Sequence, residues 1–201
     1  MTNDPIATLD LLENQPPSRP AEEVLKIYLI EYNNLKNEQI QRIGFRDNLL
    51  YAMLVAFGGV CSYVLSNDNY LNVLLILPSL CFILGWTYMV NDEKISAIGK
   101  YLRSDMRQKM SQLTHAPVET LLSWEVVHRS DAKRKSRKRL QFAVDLLSFV
   151  GTGCLAIMIF AVKVDCEFPP LILLAVGIDS VLLLILSFLI WQYTDFKVGS
   201  A

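Results

Sequence analysis

Apolar residues in this chain gather into four long runs, separated by polar stretches of very unequal length. The runs are Leu49–Ser66, Leu71–Val90, Phe142–Val162 and Leu171–Trp191, each 18 to 21 residues long and almost free of charge. An α-helix rises ~1.5 Å per residue, so each run reaches roughly 27–31 Å, the thickness of a bilayer hydrocarbon core. Buried helices of soluble proteins are seldom so long and so uniformly apolar. The pattern predicts an all-α integral membrane protein with four transmembrane helices. The short turn Asn67–Tyr70 makes the first two an antiparallel hairpin, and the turn at 163–170 does the same for the last two. The expected organisation is a flexible tail (1–19), a cytoplasmic amphipathic helix (20–48), a transmembrane hairpin (49–90), a cytoplasmic helical segment (91–141), a second hairpin (142–193) and a short tail (194–201).

The polar stretches carry a helical period of their own. After Pro20, apolar or neutral positions recur as Leu25, Tyr28, Tyr32, Leu35, Gln39 and Ile43, in steps of 3 and 4. Glu22 and Glu23 suit the positive end of that helix. Beyond Asn91, the residues Ile95, Ile98, Leu102, Met106 and Met110 form a second stripe. Both helices are expected to continue the first and second spans into the cytoplasm. There Leu25, Tyr28, Tyr32 and Leu35 should meet Met110, Met106, Leu102 and Ile98, and the same stripes should support self-association. Thr114–Pro117 should end the second helix. Pro117 and Glu119 should open another, with Leu121, Leu122, Trp124, Val126 and Val127 as its apolar positions. Pro16 and Pro17 keep the first residues out of a helix. Leu9, Leu11 and Leu12 read either as a plain tail or as a docking peptide.

The net charge is −1, but the positive charge is unevenly placed. Of 19 Lys and Arg residues, 12 lie in 91–141 and 5 before residue 49, whereas the two short turns hold only Lys163. By the positive-inside rule, both termini and the 91–141 segment face the cytoplasm; the expected location is the cell inner (plasma) membrane. The run Lys133, Arg134, Lys135, Arg137, Lys138 and Arg139 is first a topology determinant; anionic lipid headgroups are compatible partners. A nucleic-acid partner is not expected, because aromatic stacking platforms are lacking. No short apolar leader with a cleavage site precedes the first run.

Candidate chemistry is sparse. Asp179 lies near the middle of the fourth run and Asp145 about one turn inside the third. An ionisable residue inside a span is expensive and is a functional candidate by default. For Asp179 the alternatives are ion handling or a hydrogen bond, to Ser180 or another span, that fixes helix packing. Asp145 is expected to pair with Lys138 or Arg139. Pro78 marks a kink in the second run, and Gly58–Gly59, Gly151 and Gly153 offer close helix approach. Cys61, Cys81 and Cys154 read as small apolar fillers. Cys166 in the second turn is either an unpaired thiol or an intermolecular disulfide. His115 and His128 are the only histidines. No catalytic motif, cofactor-binding loop or metal-ligand spacing is present in the sequence.

The stretches EYNNLKNEQIQRIGFRDNLLYAML (Glu31–Leu54) and LGWTYMVNDEKISAIGKYLR (Leu84–Arg103) resemble a group of bacterial four-span membrane proteins that are uncharacterised. GWTYMVNDEKISAIG is the most specific part. The resemblance implies a topology and no activity. It also implies that Trp86, Tyr88, Asn91, Asp92 and Lys94 form a defined corner.

These readings lead to an oligomeric, membrane-anchored scaffold or signalling component that recruits a cytoplasmic protein partner through a helical stalk. The alternative is a small oligomeric channel or ion-linked transporter using Asp179. A membrane enzyme acting on lipids has the least support.

Overall fold

The computed structural model describes residues 19–66, 68–127, 134–163 and 169–193. The expectations for the N- and C-terminal tails, His128, Lys133 and Cys166 fall outside the described residues, as do those for the side chains of Arg134 and Lys135. The described residues are 96% helical and include no strand. Four of the helices are long and apolar enough to cross a membrane.

Helix α1 is continuous over Arg19–Ser66. No proline interrupts it after its first turn, and Gly44 is accommodated without a break. A 3-10 helix, Asp68–Leu75, leads into α2, Ile76–Tyr101. Pro78 therefore sits in the first turn of α2, not at a kink in mid-helix. Its missing N–H and its ring, which would meet the Leu74 carbonyl of a regular helix, account for the change of helix type just before it. A π-helical segment, Leu102–Met106, joins α2 to α3, Arg107–Thr114. Here the extension beyond the apolar run is one helix to Thr114. His115, with φ 54°, ends it in the left-handed conformation usual at helix C-termini.

The helix expected from Pro117 is broken. A single 3-10 turn, Val118–Thr120, is followed by extended Leu121 (ψ 136°) and by Leu122 at φ 46°. Only then does the short helix α4, Ser123–Val127, form. Beyond lie α5 (Arg134–Asp145), a π-helical segment (Leu146–Gly151), α6 (Thr152–Lys163) and α7 (Pro170–Tyr193). Pro170 opens α7 at a position where its missing N–H costs nothing.

The chain divides into two compact units. The first comprises Met1–Ile40 and Ile95–Asp131. Its core is Leu102, Met106 and Met110, covered by Leu25, Tyr28, Tyr32, Leu35, Ile98 and Tyr101 and, from the broken segment, Leu121 and Leu122. Tertiary burial of two adjacent leucines thus explains the break. A regular helix would point Leu121 and Leu122 about 100° apart, whereas the extended and left-handed pair turns both onto the same apolar floor.

The second unit comprises Gln41–Lys94 and Ala132–Ala201. One apolar cluster gathers Leu49, Met53, Cys81, Tyr88, Phe149, Leu183, Leu186 and Ile190. Another gathers Val64, Leu74, Leu77, Ala156 and Phe160. Gly153 brings α6 close to α7, since a Cβ there would lie 2.6 Å from Leu183 Cδ2. Gly58 and Gly59 make no such approach: nothing lies within 4 Å of a Cβ at either.

Candidate functional sites

In the first unit the eight expected seam residues lie in one cluster. The α1 stripe Leu25, Tyr28, Tyr32 and Leu35 packs on Ile98, Leu102, Met106 and Met110, because steps of 3 and 4 keep each set on one helix face. Polar contacts frame the seam. Lys36 Nζ is 2.6 Å from Glu125 Oε1 and 3.0 Å from Gln39 Oε1. Gln39 Nε2 in turn donates to the Ile95 carbonyl at 3.2 Å. Tyr101 donates its hydroxyl to Glu31 Oε1 at 2.8 Å, and this carboxylate pushes the phenol up to about 12, so it stays a donor at neutral pH. Arg107 Nε donates to the Leu121 carbonyl at 2.9 Å and Ser111 Oγ to that of Ala116 at 2.7 Å, which pins the broken segment to α3.

In the second unit two sites contain carboxylates. The first is Asp179 on α7, which is 3% exposed. Ser79 Oγ donates to its Oδ1 at 2.9 Å. Ser180, the neighbour considered from sequence, instead bonds back to the Val176 carbonyl at 2.7 Å. Ser79 was not among the sequence candidates. The available signal was that it is one of few polar groups in the second apolar run, one position after Pro78.

The second site is the corner around Asp92. Arg46 Nη1 donates to Asp92 Oδ1 at 2.8 Å, and Gln141 Nε2 reaches the same oxygen at 3.5 Å. Lys138 Nζ stands 3.8 Å from Asp92 Oδ2. Arg42 Nη1 donates to Asn91 Oδ1 at 3.2 Å, while Asn91 Nδ2 caps the Thr87 carbonyl at 2.8 Å. The Arg46 guanidinium also lies 5.7 Å from the centre of the Tyr88 ring. Arg42 and Arg46 are therefore both turned toward α2. Trp86 and Lys94 of the same corner are exposed. Each partly exposed ion pair contributes only about 0–1 kcal/mol, so the corner owes its definition to the network and not to any one pair.

Asp145 departs from its expected pairing. Among the described residues it forms no ion pair with Lys138, which leans to Asp92, or with Arg139, which is exposed. Its Oδ1 is wholly buried and accepts no hydrogen bond from the protein. It borders a cavity of ≈ 30 Å³ lined by residues including Tyr88, Asp92, Glu93, Lys138 and Gln141. Of the basic run's described side chains, Arg137 and Arg139 are exposed and Lys138 is half-buried.

No group of His, Cys, Asp and Glu among the described residues is placed to hold a metal ion. Comparison with protein-family models, with curated proteins and with solved structures returns no match. The reading of these sites rests on their geometry.

Proposed function

We propose that the protein is a multi-pass membrane protein whose four apolar helices form two antiparallel hairpins, with both termini in the cytoplasm of a bacterial inner membrane, and that its first unit is a cytoplasmic scaffold that recruits a protein partner and self-associates. The observation that carries this reading is the two-faced character of α1. One face is committed to the seam. The other leaves Ile27 and Ile30 62% and 61% exposed, with Val24 at 39%, interleaved with Glu23, Asn34 and Glu38. Isolated exposed apolar residues are ordinary, but a helix apolar on both sides within a charged surround suits a helix-in-groove contact. Anionic lipid at the membrane surface is a compatible second partner for exposed Arg137 and Arg139.

Native mass measurement of the complex captured in mild detergent tests the proposal. Intact protein should appear as an oligomer or with a stoichiometric partner, and Ile27→Asp with Ile30→Asp should reduce it to a monomer. A monomer from the unaltered chain, with no partner, rules out the scaffold reading. The channel or transporter reading has weaker support, because Asp179 is buried against Ser79. Loss of ion flux in Asp179→Asn with assembly intact would restore it.

A further inference from the structure

We propose that the cavity beside Asp145 is a binding site for water, through which the Asp145 carboxyl exchanges its proton with solvent. This inference is independent of the scaffold reading.

Three observations carry it. The cavity leaves ≈ 30 Å³ open to the centre of a water molecule, more than the roughly 10–15 Å³ that one water needs on that measure. Its lining is polar on several sides and comes from three helices: Tyr88, Asp92 and Glu93 from α2, Lys138, Gln141 and Asp145 from α5, and Tyr193 from α7. Finally, Asp145 Oδ1 is buried at its edge with no protein donor. Small apolar cavities stay dry, but a polar cavity with two to four hydrogen-bonding partners retains water. A buried carboxylate oxygen is also the acceptor with most to gain from a donor. Water is the ligand that can donate to Asp145 Oδ1 while accepting from the Gln141 amide; the Tyr88 hydroxyl is already engaged with the Asp145 carboxyl.

The arrangement follows from helical spacing. Lys138, Gln141 and Asp145 are separated by 3 and 4 residues and share one face of α5, and Tyr88 and Asp92 are 4 apart on α2. Asp92 is occupied by Arg46, which leaves Asp145 as the acceptor without a cationic partner at bonding distance. The charged and titratable groups around it are Arg46 from α1, Tyr88, Asp92 and Glu93 from α2, Lys138 from its own helix and Tyr193 from α7. Glu93 and Tyr193 are exposed, so the lining reaches the surface. On acidification a hydronium ion on the site water gives one proton to the carboxylate oxygen and reverts to water. The reverse step returns the proton to that water.

Infrared difference spectroscopy on the full-length protein in lipid nanodiscs tests this, comparing neutral with acidic pH in H₂O and in D₂O. Acidification protonates many carboxylates, and the component of the C=O absorption that is lost in Asp145→Asn and kept in Asp179→Asn should shift in D₂O within the mixing time. Gln141→Leu, which keeps the acid but removes one partner of the water, should move the band. This second variant decides the matter should Asp145→Asn fail to fold. A C=O absorption identical in Asp145→Asn and the unaltered chain, or an Asp145 component that exchanges with deuterium only over hours or is unmoved in Gln141→Leu, overturns the proposal.

Discussion

Glu125 in the first unit and Asp179 in the second are buried to a similar extent, 9% and 3% exposed, yet they are accommodated by different chemistry. Glu125 meets a full counter-charge, with Lys36 Nζ at 2.6 Å and that lysine still 29% exposed. Asp179 meets a hydroxyl, which supplies a hydrogen bond and no charge. The surroundings explain the difference. The first unit's helices carry Lys and Glu on their outer faces, so a lysine can keep one side hydrated while it pairs. The second unit's apolar runs offer no such exit, and a lysine beside Asp179 would have to be desolvated as well. Burial alone therefore does not identify a functional acid. What matters is whether its partner is ionic or neutral and, as for Asp145, whether one oxygen is left facing a cavity.

Variants that exchange these solutions test the contrast. The largest effect is expected for Lys36→Ala, which strands Glu125. A fully buried pair would cost about 3–5 kcal/mol to break, but the exposure of Lys36 reduces this to about 1–2 kcal/mol. Amide hydrogen exchange over Ser123–Val127 should accelerate, and the reversal Lys36→Glu with Glu125→Lys should restore protection. An unprotected reversal, or no change in Lys36→Ala, would show that the apolar contacts of Leu121 and Leu122 hold the segment unaided. Gly153→Ala comes next. Its Cβ would stand 2.6 Å from Leu183 Cδ2, and rearranging that buried leucine should cost about 1–3 kcal/mol, read as a lower thermal midpoint in detergent.

Ser79→Ala removes the hydroxyl from Asp179 and should cost about 1 kcal/mol, in the range of hydrogen bonds between membrane helices. Adding Asp179→Leu should recover most of that loss, because the unsatisfied acid goes with it. A double variant no more stable than Ser79→Ala would mean that the pair contributes nothing as a pair. Asp145→Asn should have the smallest effect on the thermal midpoint. Its amide keeps one oxygen toward the cavity and introduces no charge, so a large loss would indicate a direct ionic contact in place of a hydrated one.

Helical spacing puts Leu25, Tyr28, Tyr32 and Leu35 on one face and Ile98, Leu102, Met106 and Met110 on another, and all eight belong to one apolar cluster because a 3.6-residue repeat leaves few choices of face. The same reasoning failed at Leu121 and Leu122. They are consecutive apolar residues in a helix-compatible stretch, and only a floor already built by Leu102, Met106 and Met110 makes a left-handed leucine worth its conformational cost. It also failed at Asp145, since a charge near an apolar boundary suits its nearest neighbours in sequence. Nothing local announces Asn91 and Asp92 as partners of Arg42 and Arg46, 49 and 46 residues away.

By itself the sequence determined the helices. Four charge-poor runs long enough to cross a bilayer, a first helix without an internal proline, and two apolar stripes with helical spacing are properties of neighbouring residues, and local backbone geometry translates them directly. Only the tertiary structure decided which polar groups meet. The Ser79–Asp179 contact joins residues 100 positions apart and the Lys36–Glu125 contact joins residues 89 apart. Such pairs depend on how helices are rotated and offset against one another, and that is set by the packing of many apolar side chains at once.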